Sequence, residues 1–243
     1  MPKSPKDTEK HHDQDAHSST GSPNLNKLRA AVLGANDGVV SVASIIFGVA
    51  GATDSRGAIF TAGLAGLVAG ALSMAVGEYV SVSTQRDTER AYIEHESWEL
   101  KSKPEQELEE LAQMYEAKGV TPKTARQVAK ELTTHDALRA HLDVELNIDP
   151  DDLTNPVQAG LASMFAFTAG ASVPLLSVML SPRDSRIFVT LVAVVIALML
   201  TGYLSATAGG ASRRRAIARV VTGGVAAMLF TYLIGHLFGT AVS

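Results

Sequence analysis

Five stretches of this chain are long, apolar and nearly free of charge, and no other feature limits its fold as strongly. They run Ala30–Ala52, Ala58–Val82, Pro156–Leu180, Ile187–Gly209 and Val220–Val242. Inside a hydrocarbon layer the backbone finds no water to bond with. A segment of ~20 apolar residues is therefore stable there only as a helix. The expected fold is an all-α membrane protein with five transmembrane helices. The chain is 46% hydrophobic, yet its mean hydropathy is only +0.13, so a charged part must offset the spans.

That part begins without a break. The second apolar stretch, GLAGLVAGALSMAVGEYVSVSTQ, runs into RDTERAYIEHESWELK with no Gly or Pro between them. One helix should thus leave the membrane and continue to about Leu100. Ser102, Pro104 and Glu105 mark a break and a new helix start. The helix EQELEELAQMYEAK should end at Gly119, a residue suited to a C-cap. Thr121 and Pro122 start a third helix of this insert, and His135 to Leu146 form a fourth. From Arg86 to Asp152 there are 17 acidic and 9 basic residues, so the net charge of -4 for the whole chain is concentrated here. The expected organisation is a disordered polar tail over 1–27, two spans over 28–84, an acidic helical domain over 85–153 and three spans over 154–243.

Short loops set the orientation. Lys27 and Arg29 precede the first span, Arg86 and Arg90 follow the second, and the loop ASRRRAIAR, with Arg213, Arg214, Arg215 and Arg219, precedes the fifth. With five spans these sites share one side. The N-terminus and the insert are expected in the cytoplasm and the C-terminus outside. A bacterial inner membrane is the expected location. The tail lacks the apolar core of a signal peptide. Its His11, His12, Asp13, Asp15 and His17 make a loose metal-binding cluster at most, since a flexible tail must lose entropy to close a site.

The chain has no cysteine, which excludes disulfides, thiolate metal sites and cysteine nucleophiles. Its acidic balance points away from nucleic acid. No Glu-x-x-His pair occurs in the spans or insert, so a di-iron oxidase is not expected, nor any other enzyme. The remaining chemistry belongs to carboxylates, Met and His. Asp37 lies inside the first span, and a carboxylate there is costly enough to mark an ion or proton path by default. Met74 and Glu78 are four apart on the second span and share a face. A thioether beside carboxylates favours transition metals over Mg²⁺ or Ca²⁺. In the insert, Glu96 and Glu99 are three apart, as are Glu107 and Glu110, and the break at Lys103 and Pro104 allows the two pairs to fold together. Four converging carboxylates would repel one another unless cations lay between them. His141 and Glu145, four apart, can add a nitrogen and another carboxylate. Spacing alone leaves a solvated acidic surface as the alternative.

These motifs, taken together, are similar to a known pattern. The NDG of the first span, the ALSMAVGEYVS end of the second, the PEQELEEL and YEAKG of the insert and the GASVPLL of the third span resemble the vacuolar iron transporter family, which includes plant nodulin-21-like proteins and many bacterial members. The resemblance extends from about Leu28 to the C-terminus. It implies export of Fe²⁺, often also Mn²⁺, from the cytosol in exchange for protons, by a homodimer whose ion path lies at the subunit interface along the first two spans. The ions are cargo, and no tightly bound cofactor is implied. By motif, Asp37 and Met74 match the path aspartate and methionine. Glu96, Glu99, Glu107 and Glu110 match the four glutamates of the cytoplasmic metal-binding domain, and Glu145 matches a fifth. Two departures stand out. Plant-type members carry a glutamate two turns before the path methionine, where this chain has Gly66. A methionine pair found upstream of Glu145 in some members is here His141 and Leu142. A membrane-anchored metal buffer or sensor without transport is the competing reading.

Overall fold

The computed structural model describes residues 23–151 and 153–242, with side chains over 30–151 and 153–239. The His-containing cluster of the tail lies outside the described residues. Among the described residues seven α-helices follow one another: α1 (Pro23–Ala52), α2 (Arg56–Ser102), α3 (Pro104–Ala117), α4 (Pro122–His141), α5 (Pro156–Leu180), α6 (Arg186–Ala208) and α7 (Arg213–Val242). A short π-helical turn, Leu142–Leu146, extends α4. Among the described residues there is no strand. Parts of α1, α2, α5, α6 and α7 are long and apolar enough to cross a membrane. The chain is an integral membrane protein.

α1 is the hub of the bundle, packed against α2, α5, α6 and α7. Its own composition permits this. A Cβ added at Gly38 would lie 2.1 Å from the carbonyl oxygen of Phe167 on α5, and one added at Gly170 of α5 would lie 1.9 Å from that of Ala35. On the other flank, Gly235 of α7 rests on the backbone of Gly48 and Gly239 on that of Ala52. Lipid tails are as apolar as Leu, so helices in a membrane associate through close backbone approach rather than through expulsion of water. Val39, Val42, Ala43, Ile46, Phe167, Val194, Leu198 and Met228 form the buried centre. Hydroxyls inside the bundle turn back on their own helices: Thr168 Oγ1 donates to Met164 O, and Ser172 Oγ to Thr168 O. The outward residues, among them Phe165, Phe188, Ile196 and Phe230, are apolar and exposed, as lipid contact requires.

The break after α2 falls at Lys103, whose N–H still bonds to Glu99 O, and Pro104 opens α3 at a position where no amide donor is needed. α3 ends at Ala117, and Gly119 just beyond it has φ +94. α3 and α4 pack on each other through Leu111, Ala112, Ala129 and Ala140. The two helices read from the sequence after Pro122 are both present within α4, divided at Asp136. Asp136 is extended (φ -160, ψ 96), and its carboxylate accepts a hydrogen bond from the N–H of Arg139, which caps the second segment. The basic segment read as a loop is helical from Arg213 onward.

Candidate metal centre

α2 emerges from the bundle and presents one face of its last turns to α3 and α4. Three side chains from three helices meet there: Glu96 of α2, Glu107 of α3 and His141 of α4. Each offers one ligand atom, and the three atoms lie within 4.8 Å of one another. All are sealed from water, at 4%, 5% and 0% exposure. His141 Nδ1 is 3.0 Å from Glu96 Oε1 and 4.0 Å from Glu107 Oε2. The 3.0 Å approach does not form a hydrogen bond. Glu96 Oε1 and both nitrogens of His141 have no hydrogen-bond partner. Buried polar atoms are nearly always paired, so an orphaned carboxylate oxygen beside an orphaned imidazole calls for an explanation. Ligands aimed at a common point, rather than at each other, have this geometry.

Burial raises the pKa of Glu96 above the ordinary 4.5, and the nearby charges of Glu107, Glu99 and Glu110 raise it further; His95 works against them. Burial likewise raises Glu107, with Glu110 and Glu99 adding to it and His141 and Lys103 opposing. Glu145 sits on the π-helical turn with its side chain reaching solvent, yet enough protein surrounds it that desolvation, then Glu96 and Glu110, push it upward. An array of carboxylates that disfavour their own charge is one that a cation stabilises.

The other insert glutamates are arranged differently. Glu99 is partly exposed and lies 3.3 Å from His95 Nε2 on its own helix and 3.6 Å from Nζ of Lys103, the residue that follows α2. Glu110 is exposed. Within the bundle, Asp37 is half-buried and accepts a hydrogen bond from Ser41 Oγ at 3.0 Å. Neighbouring Asn36 accepts one from Thr201 Oγ1 on α6. Met74 packs against the buried centre, and Glu78 is half-buried one turn further along α2. Among the described residues, Glu96, Glu107 and His141 are the one converging group of His, Asp and Glu; Asp37 and Glu78 do not join such a group. At Gly66 a Cβ would meet Ile45 Cδ1 at 2.5 Å, so α1 and α2 touch there.

The VIT family model matches residues 28–236, which spans all five membrane helices and the insert. The chain belongs to the VIT family. Curated relatives agree over the same length. A vacuolar iron transporter of Acanthamoeba castellanii is 44% identical over 88% of this chain and 79% of its own. Vacuolar iron transporter homolog 2 of Arabidopsis thaliana is 38% identical, covering 87% and 84%. Vacuolar iron transporter homolog 1 of Oryza sativa is 37% identical, covering 87% and 74%. The VIT family comprises transporters, not enzymes.

Proposed function

We propose that this VIT-family protein exports a divalent transition metal, Fe²⁺ and also Mn²⁺, from the cytosol in exchange for protons. One observation carries the reading: the buried, unpartnered convergence of Glu96, Glu107 and His141 on a helix that continues into the membrane. Residues 85–153 act as the cytoplasmic capture domain. Two carboxylates and an imidazole suit borderline divalent metals better than Ca²⁺ or Mg²⁺, which prefer all-oxygen shells. Glu99, Glu110 and Glu145 surround this centre and supply further oxygens to arriving ions.

Captured ions then enter the bundle, where Asp37 holds the cation with Met74 as a soft ligand and Glu78 at the cytoplasmic approach. The Ser41 hydroxyl donates to Asp37 and fixes the direction of its side chain. Protonation from the far side discharges the ion, which couples export to proton entry. An apolar stripe on α2, Leu64, Leu72, Val76 and Val80 with Val68 between them, is exposed at four-residue spacing and supports pairing of two copies along this helix. The names of the relatives support iron as cargo.

The test is metal flux into proteoliposomes under an imposed proton gradient, comparing Fe²⁺ with Mn²⁺, Zn²⁺ and Ca²⁺. Gradient-driven Fe²⁺ or Mn²⁺ uptake is expected, with Asp37→Ala abolishing it while metal binding at the insert persists. Metal binding without flux in the wild type would establish a buffer or sensor instead. Wild-type rates in the Asp37→Ala variant would remove Asp37 from the path.

A further inference from the structure

At the end of the bundle remote from α3 and α4, the α1–α2 turn meets the α5–α6 turn. The two are tied reciprocally. The guanidinium of Arg56, the first residue of α2, donates to the carbonyl oxygen of Ser181 beyond α5. That of Arg186, the first residue of α6, donates to Asp54 O at 2.7 Å. Thr53, Asp54, Ser55, Arg56, Arg183 and Arg186 line a cavity of about 510 Å³. Its lining carries three guanidinium groups and one carboxylate, and that carboxylate is a poor partner for the two it approaches: Asp54 stands 3.7 Å from Arg186 and 3.9 Å from Arg183. Arg186 is only 3% exposed. Among the described residues its guanidinium donates one hydrogen bond, to that Asp54 carbonyl.

The helix ends sharpen the imbalance. Arg56 and Arg186 open their helices, where the positive end of the helix dipole disfavours a cation. Ser185, the N-cap of α6, makes no side-chain capping bond, so amides at that end also lack a side-chain acceptor. Excess arginine, a buried guanidinium with a long approach to its carboxylate and two positive helix ends border one open cavity. Each is relieved by an anion with several acceptor oxygens, and arginine forks match phosphate best.

We propose that this cavity binds a phosphate group at the membrane boundary, from an anionic lipid headgroup or from free phosphate. The site is separate from the metal centre and does not depend on the transport reading.

The full-length protein in a maltoside detergent provides the test, with its thermal midpoint followed against inorganic phosphate, phosphatidylglycerol and a phosphate-free galactolipid, at constant ionic strength. Saturable stabilisation by phosphatidylglycerol alone identifies the headgroup; stabilisation by both phosphate sources identifies the free ion as sufficient. Arg183→Gln, at a side chain 72% exposed, should weaken the apparent affinity about tenfold, near 1.4 kcal/mol. Asp54→Asn keeps the backbone acceptor of Arg186 but removes the competing charge, so affinity should rise. A purely structural clamp predicts no such opposition. Arg214→Gln, in the basic start of α7 at the other end of the bundle, should change nothing. No stabilisation by either phosphate source, or equal affinities in the wild type, Arg183→Gln and Asp54→Asn, would overturn the proposal.

Discussion

A carboxylate and an imidazole 3.0 Å apart, shielded from water yet not hydrogen-bonded, cost free energy until something bonds to both. Glu96→Gln should therefore act in opposite directions on two measurements. With metal chelated, the variant should unfold at a higher temperature than the wild type, because a buried charge beside Glu107 is gone. In titrations of the full-length protein, its Mn²⁺ or Co²⁺ affinity should fall at least about tenfold, or 1.4 kcal/mol. Equal metal affinity in both proteins would remove Glu96 from the ligand set. The raised carboxylates also give a pH dependence of definite sign. Glu96, Glu107 and Glu145 have folded-state pKa values above the ordinary 4.5. The folded protein thus binds more protons than the unfolded chain in the window above 4.5, so their contribution to stability falls as pH rises through the folded values. The metal-free protein should gain stability on mild acidification from pH about 7 towards 5, and the gain from added metal should shrink over the same range. A thermal-melt series with chelator and with Mn²⁺ measures both slopes.

The elements follow from the sequence where periodic composition decides, and escape it where a single contact does. Apolar length marks all five spans, and Pro156–Leu180 is the same in reading and structure. The unbroken passage from Val82 to Leu100 is legible because neither Gly nor Pro interrupts it, and α2 does run through to Ser102. The helical start of α7 is not legible, since Arg-rich segments read equally well as loops. Spacing puts Glu96 and Glu99 on one face, as it does Glu107 and Glu110, but cannot say which of each pair turns inward. That depends on α4, whose kink at Asp136 sets the direction of His141. Glycine roles are similarly hidden, because packing and exposed glycines look alike in a sequence. Gly170→Ala should lower the thermal midpoint in detergent, at a cost of roughly 1–3 kcal/mol, because the new Cβ meets the backbone of Ala35. Gly223→Ala meets nothing within 4 Å and should be neutral or stabilising by up to about 1 kcal/mol. Equal midpoints for the two variants would contradict the close α1–α5 approach.

At the scale of the whole molecule, charge and connectivity carry the orientation. The insert and the start of α7 lie at one end of the bundle, the Arg56 and Arg186 turns at the other. The absence of cysteine makes this directly measurable. Ser102→Cys should react with an impermeant maleimide in inside-out vesicles and Asp184→Cys in right-side-out ones. The reverse pattern would invert the direction of transport.

The continuity of α2 also has a mechanical side. Between Met74 in the bundle and Glu96 in the candidate metal centre there is only helix, about 33 Å of it at 1.5 Å per residue. Such a rod is a lever. A tilt of about 10° at its membrane end swings the far end by roughly 6 Å, more than the spacing between ligand atoms of the centre. A rearrangement of the spans that turns α2 therefore shears Glu96 away from Glu107 and His141, unless α3 and α4 travel with it. In the proposed function, holding the ion at the insert and moving the helix that lines its route are thus one motion seen from two ends.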